Sequence, residues 1–162
     1  MVIAMKIGDI IFVRSSSPFS WLIRWLTRSE YSHCAIYLTE KKIIEADALK
    51  RVKISKNRYH DCPSVDLCLN DNEKVRLVEY LINQIGKPYD YKQIAGLFLR
   101  LIGLSKKQNL WDSVNSVICS ELIDRGYGSI GRDLLPDRLD GDCTPADLAN
   151  ALLGREAVCK CA

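Results

Sequence analysis

Apolar positions fall into short continuous runs in the first half of the chain and into helical stripes in the second. Ile10-Ile11-Phe12-Val13 is an unbroken apolar run entered through Gly8-Asp9, and the pattern predicts a buried strand over Ile7–Val13. Ser15-Ser16-Ser17-Pro18 ends it and opens a helix over Phe19–Arg28, with proline in the first turn. Trp21 and Trp25 lie four apart there, as do Arg24 and Arg28, so one face is aromatic and the other basic. The reading favoured is tryptophans packed on a sheet, as in ordinary amphipathic helices. A membrane-surface or substrate-side helix is the less favoured one. Strands over Tyr31–Leu38 and Ile43–Ala46 follow on composition, joined by the polar turn Thr39–Lys42. Further strands cover Arg51–Ile54 and Ser64–Leu69, with His60 in the polar loop between them.

Past residue 70 the period becomes helical. Asn70-Asp71-Asn72 caps a helix over Glu73–Ile85 with Val75, Val78, Leu81 and Ile82 inward, ended by Gly86. Gly86-Lys87-Pro88-Tyr89-Asp90-Tyr91 is a turn into an apolar helix over Lys92–Ile102, and 104–114 is a polar connection holding Trp111. Cys119, Leu122, Ile123 and Gly126 then recur at i, i+3, i+4, i+7, a helix face turned to a core. Ser120, Glu121, Asp124 and Arg125 make the polar face, and Asn115 and Ser116 are cap-type residues just upstream. The helix stops at 126–131, residues 136–143 are loop, and Thr144-Pro145-Ala146-Asp147 opens a last helix through Leu153. The expected architecture is α+β, one domain over 1–162 with 154–162 a loosely held tail.

Composition narrows the function classes. A net charge of +3 with both signs mixed along the chain demands no nucleic-acid partner. The most apolar stretch, 94–104, is too short for a membrane span and is interrupted by Arg100. Met1–Lys6 lacks the features of a secretory signal, so a cytoplasmic location as synthesised is expected, with delivery by a phage or secretion system left open. Seven cysteines are an odd number, and Cys62/Cys68 and Cys159/Cys161 match neither a disulfide framework nor paired zinc-ligand spacing. Free thiols in a reducing compartment are therefore expected, with no metal and no cofactor. Oligomeric state is not legible.

One set of residues carries chemistry. A thiol in the first turn of a helix feels the positive end of the helix dipole, which favours the nucleophilic thiolate. Cys119 has that position. His33 and Glu45 are twelve apart, and a hairpin centred on Thr39 sets them opposite each other on one side of the sheet. Nucleophile, base and orienting carboxylate then form a set: Cys119 attacks a carbonyl, His33 takes and returns the proton, and Glu45 fixes the ring. Asp47 shares the parity of Glu45 and is the reserve orienter. The plainer alternatives are a small core cysteine, a strand histidine bonded to backbone and a solvated edge carboxylate.

The order Gly8-Asp9-Ile10-Ile11-Phe12, Ser32-His33-Cys34-Ala35-Ile36-Tyr37, Ile44-Glu45-Ala46, Gly86-Lys87-Pro88-Tyr89-Asp90, Ile118-Cys119-Ser120-Glu121-Leu122 and Thr144-Pro145-Ala146-Asp147-Leu148 resembles the permuted papain-like amidases of the YiiX/YebB-like type. These are circularly permuted relatives of the NlpC-type cell-wall peptidases, and the six motifs span nearly the whole chain. The resemblance implies an antiparallel sheet or half-barrel with the cysteine helix packed on it, catalytic Cys119 and His33, and Glu45 as third polar residue. It also implies that Tyr89 and Asp90 lie near the cleft, and Tyr31 joins them as a substrate-binding candidate. The function implied is a cysteine hydrolase acting on an amide bond in a peptide or peptidoglycan fragment. One alternative is a lipid acyl hydrolase or acyltransferase like lecithin:retinol acyltransferase, whose relatives follow the cysteine with Glu-His where this chain has Ser120-Glu121. Another is a binding module that has lost turnover.

Overall fold

A computed structural model describes residues 5–47, 51–90, 117–136 and 143–153. The predicted helix at Lys92–Ile102, the 104–114 connection and the tail from Gly154 lie outside them, as does most of the 136–143 loop.

The first strand is launched by a tight turn. Lys6 N–H donates to the Asp9 carboxylate at 2.8 Å and Asp9 N–H to the Lys6 carbonyl at 3.0 Å. Gly8 at φ 98° closes the turn with Leu69 Cδ1 only 2.7 Å from where a Cβ would stand, so no larger residue fits. β1 (Ile10–Val13), β2 (His33–Thr39), β3 (Lys42–Ala46), β4 (Val52–Lys56) and β5 (Ser64–Val65) pair antiparallel in the order β4-β3-β2-β1-β5. β5 is shorter than the Ser64–Leu69 strand its composition predicts. Asp66 accepts a 2.7 Å hydrogen bond from Cys68 N–H, and Cys68 turns left-handed at φ 51°, which ends the ladder.

Alternation assigns the two faces of the sheet. Ile10, Phe12, Cys34, Ile36, Ile44 and Ala46 form one core with the helices, while Ile11, Val13, Ala35, Tyr37 and Ile43 sit on the other side with Met5, Tyr59 and Cys62. The helices are α1 (Pro18–Thr27), α2 (Asp71–Gln84), α3 (Cys119–Gly128) and α4 (Pro145–Leu153). The α+β class and the antiparallel sheet match expectation.

Two helix faces do not. In α2 the buried residues are Leu77 and Leu81, whereas Val75 and Ile82 are exposed. The inward stripe is rotated because Gly126 of α3 meets Leu77 closely, a Cβ there lying 3.2 Å from Leu77 Cδ1. In α1 Trp21 and Trp25 are 59% and 64% exposed, so they do not pack on the sheet. Leu22, Ile23 and Leu26 are the half-buried residues instead. The expectation of free thiols holds for Cys34, Cys62, Cys119 and Cys143 and fails at Cys68, which is disulfide-bonded. Spacing along the chain alone does not fix which cysteines pair. No helix among the described residues is long and apolar enough to cross a membrane.

Candidate active site

Cys119 is the first residue of α3, and Ile118, extended at φ −94° and ψ 167°, is the N-cap. This corrects the capping role expected of Asn115 and Ser116, which lie outside the described residues. An isoleucine has no side-chain acceptor, so Glu121 supplies half a cap from within, accepting from Ile118 N–H at 3.3 Å and pairing with Arg125 at 2.7 Å. The polar face of α3 is buried too, apart from half-buried Arg125. Ser120 and Glu121 are fully buried, Asp124 nearly so, and Ser120 Oγ–H donates to the Cys143 carbonyl at 2.7 Å.

The approach to the cysteine is fixed by the Gly86-Lys87-Pro88 turn. Gly86, at φ 91°, donates to the Val52 carbonyl and Val52 N–H to the Lys87 carbonyl, both at 2.9 Å. Val117 N–H then donates to the Pro88 carbonyl at 3.1 Å. Two residues upstream of the sulfur, the chain is therefore bonded to a turn that is itself bonded to β4. Tyr89 and Asp90, next in that turn, are buried, and Tyr89 belongs to the helix-side core. Tyr31 is half-buried with its ring centroid 5.7 Å from that of Phe12.

His33 begins β2 and Glu45 lies in β3. Ile36 pairs with Ile44 and Tyr37 with Ile43, a register two residues away from the one centred on Thr39. A shift of two keeps both side chains on one face and makes them diagonal neighbours, still within reach of long side chains. His33 Nε2–H donates to Glu45 Oε2 at 2.9 Å. Asp47, the reserve orienter, bonds Lys53 at 2.6 Å instead.

Glu45 is 1% exposed and gathers more than the histidine. Arg58 Nη2 reaches both carboxylate oxygens at 3.1 and 3.3 Å, and Tyr59 O–H donates at 3.4 Å. The Tyr59 ring stands edge-on to His33 at 6.2 Å, with the Arg58 guanidinium 4.7 Å over it. Burial alone would raise the carboxyl, yet His33 and Arg58 hold it down at about 2. Neither Arg58 nor Tyr59 announces itself in sequence, because the loop after β4 has no period tying it to Glu45.

The electrostatics favour an ion pair. The Cys34 thiol and the His33 ring together hold the Cys119 thiol well below its ordinary value, against burial that opposes them. His33 is raised to about 10, with burial working against the Cys119 sulfur and Glu45. Cys34 is pushed well up by burial and by Cys119, so it stays a thiol that donates. With Nε2 committed to Glu45, Nδ1 is the ring nitrogen left to serve the sulfur.

No protein-family model matches the chain, and no curated protein sequence matches it. Among solved structures one likeness stands out. The fold is similar to that of YiiX. The crystal structure of metalloprotein YiiX from Escherichia coli O157:H7 (DUF1105) aligns over 80% of this chain and 68% of its own, at 24% identity and a TM-score of 0.59. YiiX is described there as a metalloprotein. Among the described residues of this chain no three His, Cys, Asp or Glu side chains converge as a metal requires, so these residues do not fit such a centre.

Proposed function

We propose that this protein is a cysteine hydrolase that opens an amide bond through a thioester on Cys119. The observation that carries the reading is the reciprocal displacement of two buried groups: a thiol held down and an imidazole held up, each a cause of the other's shift. Such a pair is a stored nucleophile and a stored proton. The Cys119 thiolate adds to the carbonyl carbon, and the oxyanion meets the Cys119 backbone N–H, one of the donors a helix start leaves without an intrahelical acceptor. His33 gives its proton to the leaving nitrogen as the C–N bond breaks. The ring, neutral again, takes a proton from water as that water attacks the thioester, and keeps it while the thiolate leaves, which restores the ion pair. Glu45 keeps Nε2–H occupied throughout and so fixes tautomer and ring plane. The motif order supports a permuted papain-like architecture with a peptide or peptidoglycan-fragment substrate, and the YiiX likeness supports the fold alone.

Cys119→Ala should abolish turnover of short peptide amides while the circular dichroism spectrum stays unchanged. Retained turnover in that variant would sink the proposal. A second reading, cleavage of an acyl-lipid ester by the same three residues, is favoured by the exposed tryptophans of α1. Fatty acid released from phospholipid vesicles, with no cleavage of peptide amides, would select it.

A further inference from the structure

We propose that the outer face of α1 docks on an anionic lipid surface, independently of which bond Cys119 opens. Ser17, Trp21, Trp25 and Arg28 are the exposed residues at helical spacing along this element, so the aromatic and basic positions share a face and are not on opposite faces as expected from sequence. The two indoles leave about 300 Å² of aromatic surface in water, taking roughly 250 Å² for a whole Trp side chain. A contiguous apolar patch of that size on a soluble chain is commonly a contact surface. The choice of partner follows from what surrounds it. Arg14 and Arg28 are exposed, Arg24 is half-buried, and α1 contains no acidic residue. The nearest carboxylate, Glu30, lies beyond the C-cap at Arg28.

An indole pair flanked by arginines suits the headgroup boundary of a bilayer, where rings sit at the interface and guanidinium groups reach phosphate. A second copy of this chain is a poor occupant, since it would bring arginines against arginines. Leu22, Ile23 and Leu26 of α1 are half-buried, and Ser17 caps the helix start by accepting from Ser20 N–H at 3.1 Å. Only four residues lie between Arg28 and His33, a reach of at most about 18 Å. A surface bound by α1 therefore lies close to the base of the catalytic set.

The test uses the full chain and unilamellar vesicles of phosphatidylglycerol and phosphatidylcholine, against vesicles of phosphatidylcholine alone. In a Trp111→Phe background Trp21 and Trp25 are the remaining indoles, so their emission reports this face. Co-sedimentation with the anionic vesicles, a blue-shifted emission and lowered acrylamide quenching are expected. Replacing Arg24 or Arg28 by Gln should weaken binding about fivefold each at low salt, from the usual contribution of a basic residue near an anionic membrane. Trp21→Ser with Trp25→Ser in the otherwise native chain should lose sedimentation and keep peptide or ester turnover in solution, which separates this proposal from the catalytic one. No sedimentation with anionic vesicles overturns it. So do equal binding to both vesicle types, indoles already shielded from acrylamide without lipid, and a dimer that dissociates when the tryptophans are replaced.

Discussion

Removing the His33 ring should convert Cys119 from a permanently ionised sulfur into an ordinary buried thiol, and the size of that change can be worked out. In the native chain the thiolate is favoured by the Cys34 thiol and by His33, against burial of a residue only 3% exposed. In His33→Ala the charge is gone while the Cys34 hydrogen bonds and the burial remain and oppose each other, so the thiol rises towards its ordinary value of 9.0. At pH 6, three units below that value, about one sulfur in a thousand is ionised in the limit. A less stabilised thiolate is intrinsically more nucleophilic, by roughly half a power of ten per unit of pKa, which recovers part of the loss. Because that recovery grows with the size of the shift, the rate at one pH falls by less than the ionised fraction does, and the pH dependence of alkylation is the cleaner signature. Iodoacetamide labelling read by mass spectrometry on the Cys119 peptide, from pH 5 to 9, measures it. Native Cys119 should react at a rate nearly independent of pH, while Cys34 and Cys143, both pushed up by burial, stay almost silent in the same sample. His33→Ala should instead gain close to tenfold per pH unit. A native Cys119 that already climbs tenfold per unit between pH 6 and 8 would refute the ion pair, as would a variant that labels like the native chain.

Glu45→Gln keeps a hydrogen-bond acceptor for His33 but removes the charge. The native carboxyl is lowered from 4.5 to about 2, so its stabilisation is complete above pH 4.5 and fades as pH falls towards 2. Urea titrations of the two proteins should differ by about 3 kcal/mol at pH 7 and converge near pH 2, and a gap that stays constant with pH would count against the charge as the cause. Asp9 is the opposite case. Burial raises it from 3.8 to about 6, so it weakens the fold increasingly as pH rises through that window. Asp9→Asn still accepts from Lys6 N–H and should stabilise the chain at pH 7 by roughly 1–3 kcal/mol, with no gain below pH 4; thermal melts at the two pH values decide it.

Strand parity and helix position carry nearly all that was legible of the site. Cys119 heads its helix because an extended apolar approach gives way to a helical period there, and His33 and Glu45 share a face because twelve is an even separation. The register itself was out by two, since nothing in Thr39–Lys42 names a turn type, and the ring and carboxylate meet regardless because both are long enough for a diagonal bond. What sequence could not reach was tertiary. Arg58 and Tyr59 come to Glu45 from an aperiodic loop, and Cys34 is written as a plain core residue until α3 is laid over β2. The tryptophans of α1 follow the same period whether they face a sheet or water, so periodicity alone favoured the commoner outcome.

The hairpin joining β2 to β3 has a consequence at its far end. Glu40 and Lys41 turn the chain some 20 Å from His33, taking about 3.3 Å per strand residue. One residue inserted there and absorbed by the pairing would slide β3 by half a pleat, sending Glu45 in among the helices and Ile44 out beside the imidazole. Two inserted residues would restore the sides. The chemistry is thus sensitive to whether that remote loop grows by an odd or an even count, a constraint on chain length that no substitution at the loop would reveal.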